Sequence, residues 1–400
     1  MLYRTYARIY QTAFRGVSYL LPWSTPTLLQ GRDVSKDLPE LIQKNKHKSL
    51  IVVTDKVLMD LKLVDHLLDG LKVRNISYCI YSDTVANPTI DNVNDALALY
   101  DKNSCDGIIA FGGGSPMDCA KALGARVVNP KKSISKMKGL FKVVKKLPPL
   151  YAIPTTAGTG SEVTIAAVIT DGKTHEKYAI NDLRLIPKYA VLDPMLTKNL
   201  PQAITSTTGI DALTHAVEAF IGKSNTKSTK EYSRKAVKLI TENIFTAYNN
   251  GSDIEARENM QTASYYAGIA FTRAYVGYVH AIAHTLGGFY SVPHGLANAV
   301  ILPYVLEYYG SSAHKPLAEL ADHIQITTDG ETDSEKAKLF IEMIKKLNKD
   351  MNIPNKIKGI KNEDIPVMVD RANKEANPLY PVPKILNKKD LENIFEMIKA

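Results

Sequence analysis

An α/β domain with a parallel sheet, followed by an all-α C-terminal domain, is the fold class this sequence predicts, and three observations predict it. From residue 49 short apolar runs alternate with amphipathic stretches of helical period, a pattern that leads to a parallel sheet covered on both faces. Beyond Leu200-Pro201 only long helical periodicity remains. The 400 residues exceed what one small core organises, so two domains are expected, 1–200 and 201–400.

Taken in order, residues 1–32 carry Arg4, Arg8, Arg15 and Arg32 with no acid, and Tyr3, Tyr6, Tyr10 and Phe14 recur at helical spacing. The segment loosely imitates an organellar transit peptide; the reading adopted is a packing arm, and no secretory pattern of basic, apolar and small-residue regions is present. Residues 49–55 read as a buried strand and 57–73 as a helix, 76–82 as a strand and 90–100 as a helix, 106–111 as a strand and 116–127 as a helix. Further β-rich runs lie at 150–153, 163–170 and 189–192, punctuated by Asp171-Gly172, and 137–147 is the most loop-like insertion. In the second half 211–221, 228–249, 254–290 and 296–309 read as helices, with two more before the C-terminus. There is no internal repeat and no low-complexity segment.

Composition excludes several classes. With 45% hydrophobic and 23% charged residues the chain is globular, and no run nears the roughly 18 apolar residues of a membrane helix. The +9 net charge comes from scattered lysines without an RNA-binding or zinc-finger signature, so no nucleic-acid partner is expected. Cys79, Cys105 and Cys119 are odd in number and lie in apolar-periodic segments, which supports neither a disulfide framework nor a thiolate metal knot. A reducing, cytoplasmic setting is expected.

The strand at 106–111 runs into Gly112-Gly-Gly-Ser-Pro-Met-Asp118. Three glycines let backbone N–H groups approach an anion, and Ser115 as N-cap, Pro116 as N1 and Asp118 as N3 start a helix whose positive end faces it. A pyrophosphate would sit there; the competing reading is a capped helix after a glycine turn, and the run is not the usual GxGxxG. A second run, Pro154-Thr-Thr-Ala-Gly-Thr-Gly-Ser-Glu162, gathers hydroxyls suited to phosphate, ribose or amide groups, with an ordinary polar turn as the alternative.

Asp211-Ala-Leu-Thr-His215 places a carboxylate and an imidazole one helical turn apart, and His280-Ala-Ile-Ala-His284 repeats the spacing on an apolar helix ending at Gly287-Gly288, followed by Pro293-His294. A lone histidine on such a helix is usually a satisfied core residue. Several polar groups on two apolar helices cost kilocalories each when buried unpaired, whereas one divalent cation satisfies them together. The oxygen and nitrogen donor set suits Fe²⁺, Zn²⁺ or Mn²⁺, and five candidates exceed a catalytic site's need, which leaves one group for proton transfer or substrate contact. His47, His66, His175, His314 and His323 are isolated and read as surface or packing residues.

These motifs, with Gly209-Ile-Asp-Ala-Leu-Thr-His215, Gly277-Tyr-Val-His-Ala-Ile-Ala-His284 and Val292-Pro-His-Gly295, resemble the iron-containing (group III) alcohol dehydrogenases in family order from Thr54-Asp55 to His294. The resemblance implies a dehydroquinate synthase-like fold: an α/β nucleotide-binding domain, a helical metal-binding domain and an active site in the cleft between them. It makes Asp211, His215, His280 and His294 the ligands of Fe²⁺, with Zn²⁺ as the alternative, and His284 the neighbour of nicotinamide and substrate. For the cofactor it implies Asp55 near the adenosine ribose, Asn87 beside the dinucleotide, Gly113, Gly114 and Ser115 on the pyrophosphate with Asp118 in the same helix turn, and Thr155, Thr156, Thr159 and Lys177 elsewhere along it. Asp55 would repel a ribose 2′-phosphate, which favours NAD over NADP. Two features depart from the family: 374–383 keeps Asn377-Pro378 without the usual arginine after it, and the basic arm before residue 30 is long.

The expected activity is hydride transfer between a nicotinamide cofactor and a small primary alcohol or diol, run also as aldehyde reduction, with His284 relaying the proton. Rivals are a glycerol dehydrogenase, a maleylacetate reductase or a dehydroquinate synthase-type lyase of the same fold, a metal-dependent hydrolase, for which the glycine turn has no task, and a non-catalytic binding protein. The resemblance further implies a homo-oligomer, at least a dimer.

Overall fold

The computed structural model describes residues 2–174 and 176–400; His175 lies outside the described residues. The chain opens with helix α1 (Leu2–Leu20) and divides into two compact units, 22–199 and 200–400, with residues 2–21 packed as part of the second. The first domain anticipated as 1–200 therefore starts at Pro22. The cause is specific: Arg8 donates to the carbonyls of Val382 (2.7 Å) and Pro383 (2.8 Å), and the Phe14 ring packs edge-on against Tyr275 at 5.6 Å.

The unit 22–199 contains strands β1 (Thr27–Gln30), β2 (Ser49–Val53), β3 (Ser77–Tyr81), β4 (Gly107–Gly112), β5 (Gly139–Leu140), β6 (Leu150–Pro154), β7 (Ala166–Asp171), β8 (Glu176–Asn181) and β9 (Tyr189–Leu192). Its helices are α2 (Leu38–Lys44), α3 (Lys56–Asp60), α4 (Asp65–Val73), α5 (Ile90–Lys102), α6 (Gly114–Val128) and α7 (Ile134–Met137). Six strands form a parallel sheet in the order β1-β9-β6-β4-β2-β3. Alternate residues of one strand enter different cores: Ile51, Val53, Ile108 and Ala110 pack with Met117, Ala120 and Leu123 of α6, while Leu50, Val52, Ile109 and Phe111 pack with Leu67 and Leu71 of α4. That alternation explains the unbroken apolar strands, since both faces are covered.

Several elements differ from expectation, among them α2, α7, β5 and β8, which have no counterpart in the sequence reading. The run at 163–170 does not join the parallel sheet: β7 turns at Asp171-Gly172, where Asp171 accepts from the Lys173 amide (2.9 Å), and pairs antiparallel with β8 in a separate sheet completed by β5. The helix expected at 57–73 is two, α3 and α4, with Lys62 between them at φ 54°. The short edge strand β1 has no sequence signal.

The second unit adds α8 (Gln202–Ile221), α9 (Lys227–Asn249), α10 (Ile254–Ala274), α11 (Tyr278–Tyr290), α12 (His294–Tyr309), α13 (Ser311–His323), α14 (Asp333–Asp350), α15 (Ile365–Ala376) and α16 (Lys388–Ile398). From Gly209 to Ile221 every residue of α8 is buried, so this helix is the axis of its unit. The helix expected at 254–290 breaks between α10 and α11, where Tyr275 takes φ 68° and the Glu218 carboxylate accepts from the amides of Gly277 (2.8 Å) and Val279 (2.9 Å). A buried carboxylate thus receives the first N–H groups of α11, which have no partner within their own helix. Among the described residues no helix is long and apolar enough to cross a membrane.

Candidate functional site

In the helical unit, α8 presents Asp211 and His215 one turn apart, α11 brings His280, and α12 begins with His294. The ligating atoms of these four residues all lie within 4.8 Å of one another, and Asp211, His215 and His280 are buried. His280 Nε2 stands 4.0 Å and His294 Nε2 3.8 Å from Asp211 Oδ1, and the His215 ring stacks between Phe271 (4.1 Å) and His280 (4.5 Å). Two glycines permit this convergence. A Cβ on Gly295 would lie 2.6 Å from the Thr207 carbonyl oxygen, so α12 touches the backbone of α8 there, and one on Gly277 would lie 2.6 Å from Glu218 Oε1.

Three partners were not identified from the sequence. Glu218 is buried on α8 one turn beyond His215, and its Oε2 lies 2.6 Å from His280 Nδ1. A carboxylate only accepts, so the ring donates from Nδ1 and its Nε2 carries a lone pair. Burial opposes charging His280, but the hydrogen bond to Glu218 and the charges of Glu218, Asp211 and Glu375 outweigh it and raise its pKa. Asn298, one turn after His294, directs its amide nitrogen to Asp211 Oδ1 (2.6 Å), His280 Nε2 (3.2 Å) and His294 Nε2 (3.2 Å). Glu375 of α15 lies 2.7 Å from His284 Nδ1. An acid inside Ala216-Val-Glu-Ala-Phe-Ile221 and an amide four residues after His294 were signals available in the sequence; Glu375, 91 positions from His284, gave none.

The amide nitrogen thus faces a carboxylate oxygen and two imidazole nitrogens that meet at one place, with His215 beside them. This clustering of one oxygen and three nitrogen donor atoms within 4.8 Å of one another fits a divalent cation held by Asp211, His215, His280 and His294. His284 is half-buried, its ring stacked on His294 at 5.3 Å and 18°. His47 and His66 instead serve hydrogen bonds to Asp106 and Ser35.

In the unit 22–199, Gly112 ends β4 at φ 150°, where a Cβ would lie 2.6 Å from Pro116. The N-cap of α6 is Gly113 rather than Ser115, because the helix starts two residues earlier than anticipated and Ser115 is left within its first turn. Ser115 Oγ instead accepts from the Asn87 amide (3.3 Å), and Asn87 Oδ1 accepts from Lys177 Nζ (2.8 Å), which joins three of the anticipated cofactor residues. The second run packs on the turn: a Cβ on Gly113 would lie 3.3 Å from Thr156 Oγ1 and one on Gly114 2.8 Å from Thr159 Cγ2, while the Thr155 amide donates to the Gly112 carbonyl (3.1 Å). Asp55 follows β2, which pairs in parallel with β4, so it stands at the same sheet end as the glycines; its carboxylate caps α3 through the Leu58 amide (3.0 Å). The chain leaves β2 outward to β3 and returns across it to β4, making this pair the switch point of the sheet.

Behind the turn Asp118 accepts from Ser161 Oγ (3.1 Å). Lys121, fully buried, donates to Ser161 Oγ (3.0 Å), the Thr164 carbonyl (3.0 Å) and hydroxyl (2.9 Å), and the Ala166 carbonyl (2.9 Å). Burial pushes Asp118 up to about 6 and Glu162 up to about 7, and pulls Lys121 down to about 8. Asp118 therefore supports the second run from behind.

The model of the iron-containing alcohol dehydrogenases matches residues 25–194, and that of the C-terminal part of the Fe-containing alcohol dehydrogenase family matches 205–398. The 1,3-propanediol dehydrogenase of Citrobacter freundii is 40% identical over 352 residues, 87% of this chain and 90% of its own. An alcohol dehydrogenase structure from Oenococcus oeni superposes with TM-score 0.90 at 36% identity, covering 94% of this chain and all of that one, 100%. A sulfoacetaldehyde reductase from Bifidobacterium kashiwanohense, solved in complex with NAD⁺, superposes with TM-score 0.82 at 28% identity over 94% of this chain and 98% of that one.

Proposed function

The chain belongs to the iron-containing alcohol dehydrogenase family, and from that premise we propose that it oxidises small primary alcohols or diols, and reduces the matching aldehydes, with a nicotinamide cofactor. The observation that carries this reading is the convergence in the helical unit of one oxygen and three nitrogen donor atoms, from Asp211, His215, His280 and His294, to within 4.8 Å of one another. Asp211, His215, His280 and His294 would hold Fe²⁺, with Zn²⁺ the alternative. When bound, the ion would supply Lewis-acid polarisation of the substrate oxygen, and the nicotinamide would supply or accept the hydride.

The rest of the chemistry belongs to this chain. Glu218 fixes His280 with Nε2 free to ligate, and His284 exchanges a proton with the substrate oxygen. The amides after Gly113 and the α6 N-terminus hold the pyrophosphate, with Ser115 and the Asn87–Lys177 pair alongside and the Thr155, Thr156 and Thr159 run opposite. Asp118 enters this site by supporting that run. Asp55 takes the adenosine ribose and excludes a 2′-phosphate, so NAD is favoured; the NAD⁺ complex of the sulfoacetaldehyde reductase supports the same assignment. Three free cysteines support a cytoplasmic setting, and we place the enzyme there as a homodimer.

Anaerobic purification with metal analysis, then a panel of primary alcohols, diols and aldehydes followed through nicotinamide absorbance, tests the reading. One divalent ion per chain and turnover with NAD are expected, and failure to bind either NADH or NADPH rejects it. His284→Ala should lower turnover while keeping the metal; loss of the metal would overturn the division of roles.

A further inference from the structure

The two features that depart from the family, the arm before residue 30 and the segment 374–383, meet in the helical unit. Gln11 of α1 is buried and its amide donates to the carbonyls of Pro378 (3.0 Å) and Tyr380 (2.8 Å), while Arg8 holds those of Val382 and Pro383. From the other side, the Tyr278 hydroxyl of α11 donates to Asn377 Oδ1 (2.8 Å). Tyr380 is thereby fixed, and its hydroxyl donates to Glu375 Oε1 (2.8 Å), the same oxygen that lies 2.7 Å from His284 Nδ1. Burial and the Glu375 charge hold the Tyr380 pKa well above its ordinary value, so the hydroxyl remains a donor.

We propose that Glu375 is the positioning residue of His284: by accepting the Nδ1 hydrogen it selects one tautomer, holds the ring in its stack on His294, and leaves Nε2 as the ring nitrogen that exchanges a proton with substrate. Its catalytic consequence rests on His284 being the proton carrier. The logic is that of any imidazole oriented by a carboxylate on its far nitrogen, with the tyrosine and the arm restraining the carboxylate in turn. A positioned general acid or base contributes about 10²–10⁴-fold, so losing its support should cost part of that, about 10–100-fold.

The test uses the full chain loaded with Zn²⁺, which is diamagnetic, and labelled with ¹⁵N-histidine; the His284 ring signals are assigned by their loss in His284→Ala. Glu375→Ala should convert a single Nδ1–H tautomer into a mixture and lower kcat about 10–100-fold, with KM for the alcohol, metal content and NADH affinity within about threefold of the parent. Glu375→Gln, whose amide oxygen still accepts, should restore most of kcat and the single tautomer. In a His284→Ala background, Glu375→Ala should cost nothing further. An unchanged ring signature in Glu375→Ala, or an equal loss of kcat with and without His284, would overturn the proposal. Full turnover by His284→Ala, with the tautomer still lost in Glu375→Ala, would overturn the proton-carrier reading and any catalytic effect of Glu375, while leaving the positioning contact established.

Discussion

Replacing Glu218 by glutamine keeps the shape of the side chain and removes one acceptor. In the native site Oε2 receives the Gly277 amide (2.8 Å) and His280 Nδ1 (2.6 Å), and Oε1 receives the Val279 amide (2.9 Å). A glutamine amide cannot serve all three: with its oxygen at the Oε2 position its NH₂ opposes the Val279 N–H, and with the groups exchanged the NH₂ opposes both Gly277 and His280. The less costly choice leaves one buried donor of α11 without a partner, about 1–3 kcal/mol. For a unit of roughly 200 residues that lowers the melting temperature by about 2–12 °C. The other choice lets His280 turn to the opposite tautomer, placing a hydrogen on the nitrogen that ligates. Either way the carboxylate that raises the basicity of His280 is gone, and metal affinity should fall about 10–100-fold. Competition with a chelator for Zn²⁺, read beside thermal unfolding of metal-free protein, measures the two effects separately. If Glu218→Gln binds Zn²⁺ as tightly as the parent and melts at the same temperature, the carboxylate does not organise the site and the reasoning fails.

Gly295→Ala should act at the same centre by a different route: its Cβ would lie 2.6 Å from the Thr207 carbonyl oxygen, so α12 must draw back from α8 by several tenths of an ångström and carry His294 away from Asp211. Misplacement of that order lowers turnover up to about 100-fold, and parental metal content together with parental kcat would show that the contact is not limiting. Glu162→Gln probes the support of the second run. Burial raises native Glu162 from 4.5 to about 7, so the native state binds the proton more tightly than the unfolded chain; this contribution is full below 4.5 and is lost as pH rises through about 7. The melting temperature of the parent should therefore carry a falling component between about pH 5 and pH 7.5 that the glutamine variant lacks, and parallel profiles would refute the assignment.

What the sequence could disclose depended on how local the determinant is. The spacing of Asp211 to His215 and of His280 to His284 is a property of single helices, and a polar pair on an apolar helix stands out against any background. The glycine turn is equally local, since strand, glycines and helix start follow one another directly. The break at Tyr275 is not: it contains no proline, and the amides of Gly277 and Val279 are received by a carboxylate 59 and 61 residues away. The same holds for α1, whose helical period was visible while its docking onto 378–383, more than 360 residues distant, was not. The N-cap of α6 is Gly113, and Ser115, inside the first turn, offers its hydroxyl to the Asn87 amide, a tertiary hydrogen bond that no one-dimensional pattern discloses.

Asn298 explains how the proposed metal site would keep its shape independently of the ion. Three helices contribute the proposed ligands, and this one amide touches one from each: Asp211 on α8, His280 on α11 and His294 on α12. Glu218 ties α8 to α11 a second time, and the Gly295 to Thr207 contact ties α8 to α12. The framework is therefore cross-linked by groups that are not themselves ligands, unlike a small metal domain whose fold is supplied by the ion. One oxygen and three nitrogen donor atoms gathered within 4.8 Å of one another, on residues mostly buried among apolar helices, are a costly arrangement to withdraw from water. A cation within reach of all four would offset that cost without moving a helix, so its binding energy would go to holding the ion rather than to building its site.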